Sequence, residues 1–71
     1  MNACSMTIHV NGEARRVPEG TTIAGLLVEL KLPARQVAVE VNLQLVPRGA
    51  HEAHRLADGD RLEIVALVGG G

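Results

Sequence analysis

One stretch of this chain, and one alone, has helical periodicity. In TTIAGLLVELKL the residues Ile23, Leu26, Leu27 and Leu30 fall at i, i+3, i+4 and i+7, which places them in one apolar stripe along a helix. A single stripe must be buried against a single apolar surface. Elsewhere the apolar residues alternate with polar ones, the period of strands buried on one side. The chain is thereby confined to one helix lying across one face of one sheet.

The strands are read from the same alternation. Met6, Ile8 and Val10 share one face of the first, with Thr7 and His9 on the other. Asn11-Gly12 follows directly, and both residues tolerate positive φ, so a hairpin returns the chain through EARRV with Val17 on the Ile8 face. PEG ends that strand. The helix takes its first cap from Thr21 or Thr22, ends near Lys31, and is stopped by Pro33. Gly25 weakens it by about 1 kcal/mol relative to alanine, which implies either a close approach to the sheet or simple tolerance. QVAVEVN points Val37, Val39 and Val41 inward, with Ala38, Glu40 and Asn42 outward. LQLVPR is a short strand that Pro47 assigns to an edge. GAHEAHRL is irregular, ADGD is a turn, and RLEIVALV is the last strand, Arg61 to Val68.

The expected class is therefore α+β, in the order β-β-α-β-β-β. A mixed sheet of four to five strands with one helix packed across it is the plan of the ubiquitin-like β-grasp. Residues 1–5 are expected to be a disordered extension, 6–68 the β-grasp domain, and 69–71 a flexible tail.

Composition removes several function classes. The chain has 71 residues, 46% of them hydrophobic, without a Phe, Tyr or Trp, so the core is built from Val, Leu, Ile and Ala. A net charge of -1 gives no basic footprint for nucleic acid, and stacking platforms are absent. No apolar run approaches the ~20 residues of a membrane span, and MNACS lacks the apolar segment of a signal peptide, so a cytoplasmic location is expected. Cys4, the one cysteine, excludes an internal disulfide, and no base accompanies it in sequence.

The chain closes with Ala66-Leu67-Val68-Gly69-Gly70-Gly71. On the last strand Leu62, Ile64, Ala66 and Val68 form one apolar face. Arg61 and Glu63 mark the opposite face as outer, so Val65 and Leu67 are apolar where water is expected. Ordering Val68 to Gly71 opposes binding by about 4–8 kcal/mol, and glycine returns no burial, so affinity for any partner has to come from the folded body. The tail contributes slimness and reach: four extended residues span about 13–14 Å. Its end carries the α-carboxylate of Gly71, ionised at neutral pH, a group that becomes an acyl donor only after activation. The sequence has no phosphate-binding GxxxxGK[ST] or GxGxxG loop, so activation requires a partner that holds the nucleotide.

The tail VGGG, LADGDRLEIV before it, VNLQLVPR and the opening IHVNGEARRVPEGTTIAGLL together resemble the ThiS family, sulfur carriers that serve the thiazole ring of thiamine. The resemblance runs from Met6 to Gly71. It implies that Gly71 is adenylated by a ThiF-type adenylyltransferase with MgATP. Sulfur from a cysteine desulfurase persulfide then displaces AMP to leave a C-terminal thiocarboxylate, which delivers its sulfur to the thiazole synthase ThiG. On that reading the chain is a protein co-substrate and not an enzyme. Gly70 and Gly71 match the family's functional Gly-Gly, and Val65 and Leu67 match its outer-face docking positions, continued into the partner by Val68 and Gly69. Position 65 is often aromatic in that family, so Val65 implies a smaller contact. Two alternatives stand beside this reading: a MoaD-type small subunit of molybdopterin synthase, and a β-grasp interaction module without tail chemistry.

The remaining polar residues are expected to be structural or solvated. His51 and His54 are too few for a zinc site and are assigned to the surface with His9. Asp58 and Asp60 flank Gly59 for backbone reasons, and Arg48 is placed in water.

Overall fold

The computed structural model describes residues 4–67. Five strands and one helix follow each other as β1 (Ser5–Val10), β2 (Glu13–Pro18), α1 (Ile23–Leu30), β3 (Val37–Val41), β4 (Gln44–Val46) and β5 (Arg61–Ala66), with single turns of 3-10 helix at Ala34–Gln36 and Arg48–Ala50. The sheet order is β2-β1-β5-β3-β4. β1 and β5 run parallel and the other neighbours antiparallel, so the sheet is mixed, five-stranded and covered on one side by α1. This is the β-grasp arrangement. β1 begins at Ser5, which pairs with Pro18, one residue ahead of the alternation that starts at Met6.

The inward faces are those the alternation gave. Ile8, Ile23, Leu26 and Val39 are wholly buried, and Val17, Leu27 and Leu62 almost so. Burying Ile23, Leu26 and Leu27 against the sheet contributes about 1.5–3 kcal/mol each. The fourth stripe residue, Leu30, is only half-buried at the helix end, where it packs with Val10 and Leu32 on the rim of the core.

The start of α1 shows how a helix of eight residues is held. Thr22 is the cap: its Oγ1 accepts from the Gly25 N–H at 3.1 Å. Thr21 instead donates its hydroxyl to the Pro18 carbonyl at 2.6 Å. The Ile23 and Ala24 N–H groups donate to the His54 and His51 carbonyls, and Leu26 N–H to Thr22, so all four free N–H groups of the first turn have partners. At the other end Lys31 adopts the left-handed conformation (φ 59°) and closes the helix with N–H bonds to Leu27 and Val28.

Gly25 makes no close approach to the sheet. A methyl group there would meet only Thr22 Oγ1 at 3.5 Å and Thr21 Cγ2 at 3.9 Å, ordinary contacts. Of the two explanations for this glycine, tolerance is the one the packing supports. Gly25→Ala is expected to stabilise the fold by about 0.5–1 kcal/mol. Thermal unfolding should shift upward by about 2–8 °C.

Two features depart from the sequence reading. β3 and β4 are joined by a two-residue turn at Asn42-Leu43, both with positive φ (53° and 71°), and Val41 pairs with Gln44. Leu43 is therefore a turn residue and not the first residue of the edge strand. Leucine gives no turn signal, and its presence in this conformation has no account in the fold; it is 88% exposed. The second departure is His51, expected at the surface but only 3% exposed. The 3-10 turn at Arg48–Ala50 tucks its ring beneath the end of β4, where Nε2 donates to the Val46 carbonyl at 3.1 Å. His51 Nδ1 is buried without a hydrogen-bond partner.

Candidate functional site

β5 is the strand that leads to the glycines, and its placement is set by three different devices. Its first half is laid in parallel beside β1, His9 opposite Arg61 and Val10 opposite Leu62. The turn before it continues the same ladder: Gly59 N–H donates to the Thr7 carbonyl at 2.7 Å, His9 N–H to that of Asp60 at 2.9 Å, and Asp58 Oδ1 accepts from the Thr7 N–H at 2.9 Å. Asp60 accepts from the Ala57 N–H and the Asn42 amide. Both aspartates therefore serve the backbone, as the turn reading required.

Beyond Leu62 the chain of β1 has already turned away into its hairpin, and β5 has no strand on that side. Asn11 replaces it. Its Oδ1 accepts from the Ile64 N–H at 2.8 Å and its Nδ2 donates to the Ile64 carbonyl at 3.2 Å, so one side-chain amide reproduces a rung of the ladder. On the opposite side β3 runs antiparallel along β5 to Val37–Ala66, and Leu67 N–H donates to the Gln36 carbonyl at 2.8 Å. The strand is thus held almost to the point where the glycines begin.

Val65 and Leu67 emerge on the outer face of the sheet, 55% and 52% exposed, as the alternation required. Ala66, expected on the inner face, points inward but remains exposed. The reason is the length of α1: eight residues extend only about 12 Å, which leaves this corner of the sheet uncovered. Ala66 there borders a depression shared with Val10, Leu30, Leu32, Val37 and Ile64. Val68, Gly69, Gly70 and Gly71 lie outside the described residues, as do residues 1–3.

The remaining candidates fall apart spatially. His54 is half-buried in the turn that backs the helix start, and Arg48 and Cys4 are exposed. Among the described residues no group of three or more His, Cys, Asp or Glu is placed to hold a metal ion, and no helix is long and apolar enough to cross a membrane. Leu45 is the exposed residue that sequence reasoning passed over. It stands on the same outer face as Val65, 65% exposed, on edge strand β4. The signal was available: a leucine between Gln44 and an inward Val46 has to face out.

Known proteins with these features converge. A region of a thiazole synthase from Paramagnetospirillum magneticum is 46% identical over 66 residues, covering 93% of this chain; the chain spans only 20% of that protein's length. The sulfur carrier protein ThiS of Escherichia coli is 32% identical over 66 residues and is covered completely. The crystal structure of a thiamine biosynthesis protein (ThiS) from Geobacter metallireducens superposes with a TM-score of 0.81 at 36% identity, covering 93% of this chain and all of that one. The ThiS family model matches residues 8–71, from the first buried isoleucine of β1 through the last glycine. A β-grasp sheet whose fifth strand leads an apolar outer edge into a run of glycines, matched over that whole span, belongs to the ThiS family.

Proposed function

We propose that this chain is a sulfur carrier that holds its cargo as a thiocarboxylate on Gly71. The observation that carries this reading is the course of β5, whose outward Val65 and Leu67 lead directly into Gly69-Gly70-Gly71 within a chain of the ThiS family. A ThiF-type adenylyltransferase supplies MgATP. The Gly71 carboxylate attacks the α-phosphorus, pyrophosphate leaves, and an acyl-adenylate results. The terminal sulfur of a cysteine desulfurase persulfide then attacks the acyl carbon and AMP departs. A thiol cleaves the resulting sulfur–sulfur bond and leaves the thiocarboxylate. Its sulfur is a better nucleophile than the oxygen it replaced, which suits it for transfer to thiazole synthase. The Paramagnetospirillum magneticum relative supports that recipient, since a region like this chain lies within a protein named thiazole synthase.

The described residues offer no rival chemistry. No nucleophile–base pair stands beside the depression at Ala66, and the phosphate loops are absent from the sequence. The chain is acted upon and does not itself catalyse. Incubation with ATP, the adenylyltransferase and the persulfide donor, followed by intact-protein mass spectrometry, is expected to show one oxygen replaced by sulfur. If the mass stays unchanged with every cognate enzyme, the carrier reading is lost.

A further inference from the structure

On the outer face of the sheet, directly beside Val65, two glutamates stand side by side. Glu40 of β3 is the ladder partner of Glu63 of β5, and on its other side Glu40 faces Leu45 of β4. Like charges placed directly opposite in an antiparallel pair destabilise the sheet. The other polar side chains around β5 are used differently: Asn11, Asn42, Asp58 and Asp60 all take backbone N–H groups. Glu40 and Glu63 accept no hydrogen bond from the described side chains and serve no turn. The nearest cation along the strand, Arg61, is two residues away and opposite His9. The fold thus keeps an unfavourable pair with no structural function, on the face where Leu45, Val65 and Leu67 are each more than half exposed.

We propose that this face, Glu40 and Glu63 bordered by Leu45, Val65 and Leu67, docks onto a basic surface of the enzyme that activates the tail. A guanidinium or ammonium group of that enzyme stands over the paired carboxylates, and apolar side chains flank it. The proposal rests on the carrier reading and names the chemistry of its partner. Charge complementarity selects the occupant. A second copy of this chain, meeting the same patch across a two-fold axis, would bring four carboxylates together without a cation. A basic surface instead removes the repulsion that the free chain retains, so the pair becomes favourable only in the complex. Continuity places the contact as well. Glu63 lies four residues before Leu67, about 13 Å back along the strand, so a partner that admits the glycines covers this patch too.

The test uses substitutions that remove charge while keeping shape. E40Q and E63Q, alone and together, and E63K are assayed in ATP–pyrophosphate exchange with the adenylyltransferase of the same organism, at graded salt. The double variant is expected to raise KM about fivefold with kcat retained, and to flatten the rise of KM with salt seen for the parent chain. E63K should raise KM at least about tenfold. In the free chain E63Q should raise the unfolding temperature by about 1–5 °C, because the repulsion is gone. Opposite signs in the two measurements are the signature of the proposal. A raised unfolding temperature with KM and its salt dependence unchanged would overturn it, since the pair would then be only a cost to the fold. So would a concentration-dependent dimer of the parent chain that Leu45→Ser abolishes. Absence of any exchange with the parent chain overturns the carrier reading, and this proposal with it.

Discussion

Removing Gly71 is expected to abolish thiocarboxylate formation and leave the unfolding temperature within about 1 °C of the parent. The two halves of this result have separate causes. The buried apolar side chains run from Met6 to Ile64, and the last described backbone bond of the strand is Leu67 N–H to Gln36. Deleting residue 71 removes no apolar side chain and no described hydrogen bond, so stability has nothing to lose. The reaction depends on where a carboxylate arrives. Without Gly71 that group falls short by one residue, about 3.3–3.6 Å. Misplacement of a reacting atom by 1 Å can cost about 100-fold, so a shortfall of this size should bring acyl-adenylate formation to background. Binding should survive, because the body and not the tail supplies affinity. The truncated chain is expected to inhibit adenylation of the parent competitively. Pyrophosphate exchange and intact mass report the first effect, calorimetry the second. A truncated chain that is converted at the parental rate would place the working group elsewhere.

The elements legible in the sequence are those where one physical signal acted alone. The stripe Ile23, Leu26, Leu27, Leu30 gave the helix, and Asn11-Gly12 gave a hairpin that the structure closes with Asn11 and Gly12 at φ 52° and 86°. Parity alone was enough to turn Val65 and Leu67 outward. The misses have equally local reasons. The second hairpin turns on Leu43, a residue that normally avoids positive φ, so alternation was carried through a position where the chain reverses. His51 was judged by residue type. Its burial follows from the 3-10 turn that presents the Val46 carbonyl to its ring, a tertiary arrangement that no spacing announces. Ala66 has the right parity for the core and lies beyond the reach of a helix that Lys31 ends. Strand parity thus reports orientation, whereas burial depends on what covers the face.

The device least visible in sequence is expected to carry the largest single effect on stability. Asn11 reads as half of a turn signal, yet its side chain also completes β5. Asn11→Ala removes both bonds to Ile64 and leaves a partly buried N–H and carbonyl without partners, at about 1 kcal/mol or more each. It also forces alanine into the left-handed conformation at φ 52°, for about another 1 kcal/mol. A total near 3 kcal/mol is a large part of the margin of a small domain, and unfolding should fall by about 12 °C or more. Two further variants separate the causes. Asn11→Gly keeps the turn conformation and loses the amide, so it should recover about 1 kcal/mol of the deficit. Asn11→Asp keeps an acceptor for the Ile64 N–H but sets a carboxylate against the Ile64 carbonyl, and should lie no higher than the glycine variant. If Asn11→Gly unfolds with the parent in denaturant, the amide rung contributes nothing. If it does not, the consequence reaches the function. Ile64 stands between Glu63 and Val65, so loosening it frees the strand that aims the glycines, and hydrogen exchange at Ile64 should accelerate before that of Val39 in the core. The turn residue that starts the sheet is then also the one that points the tail.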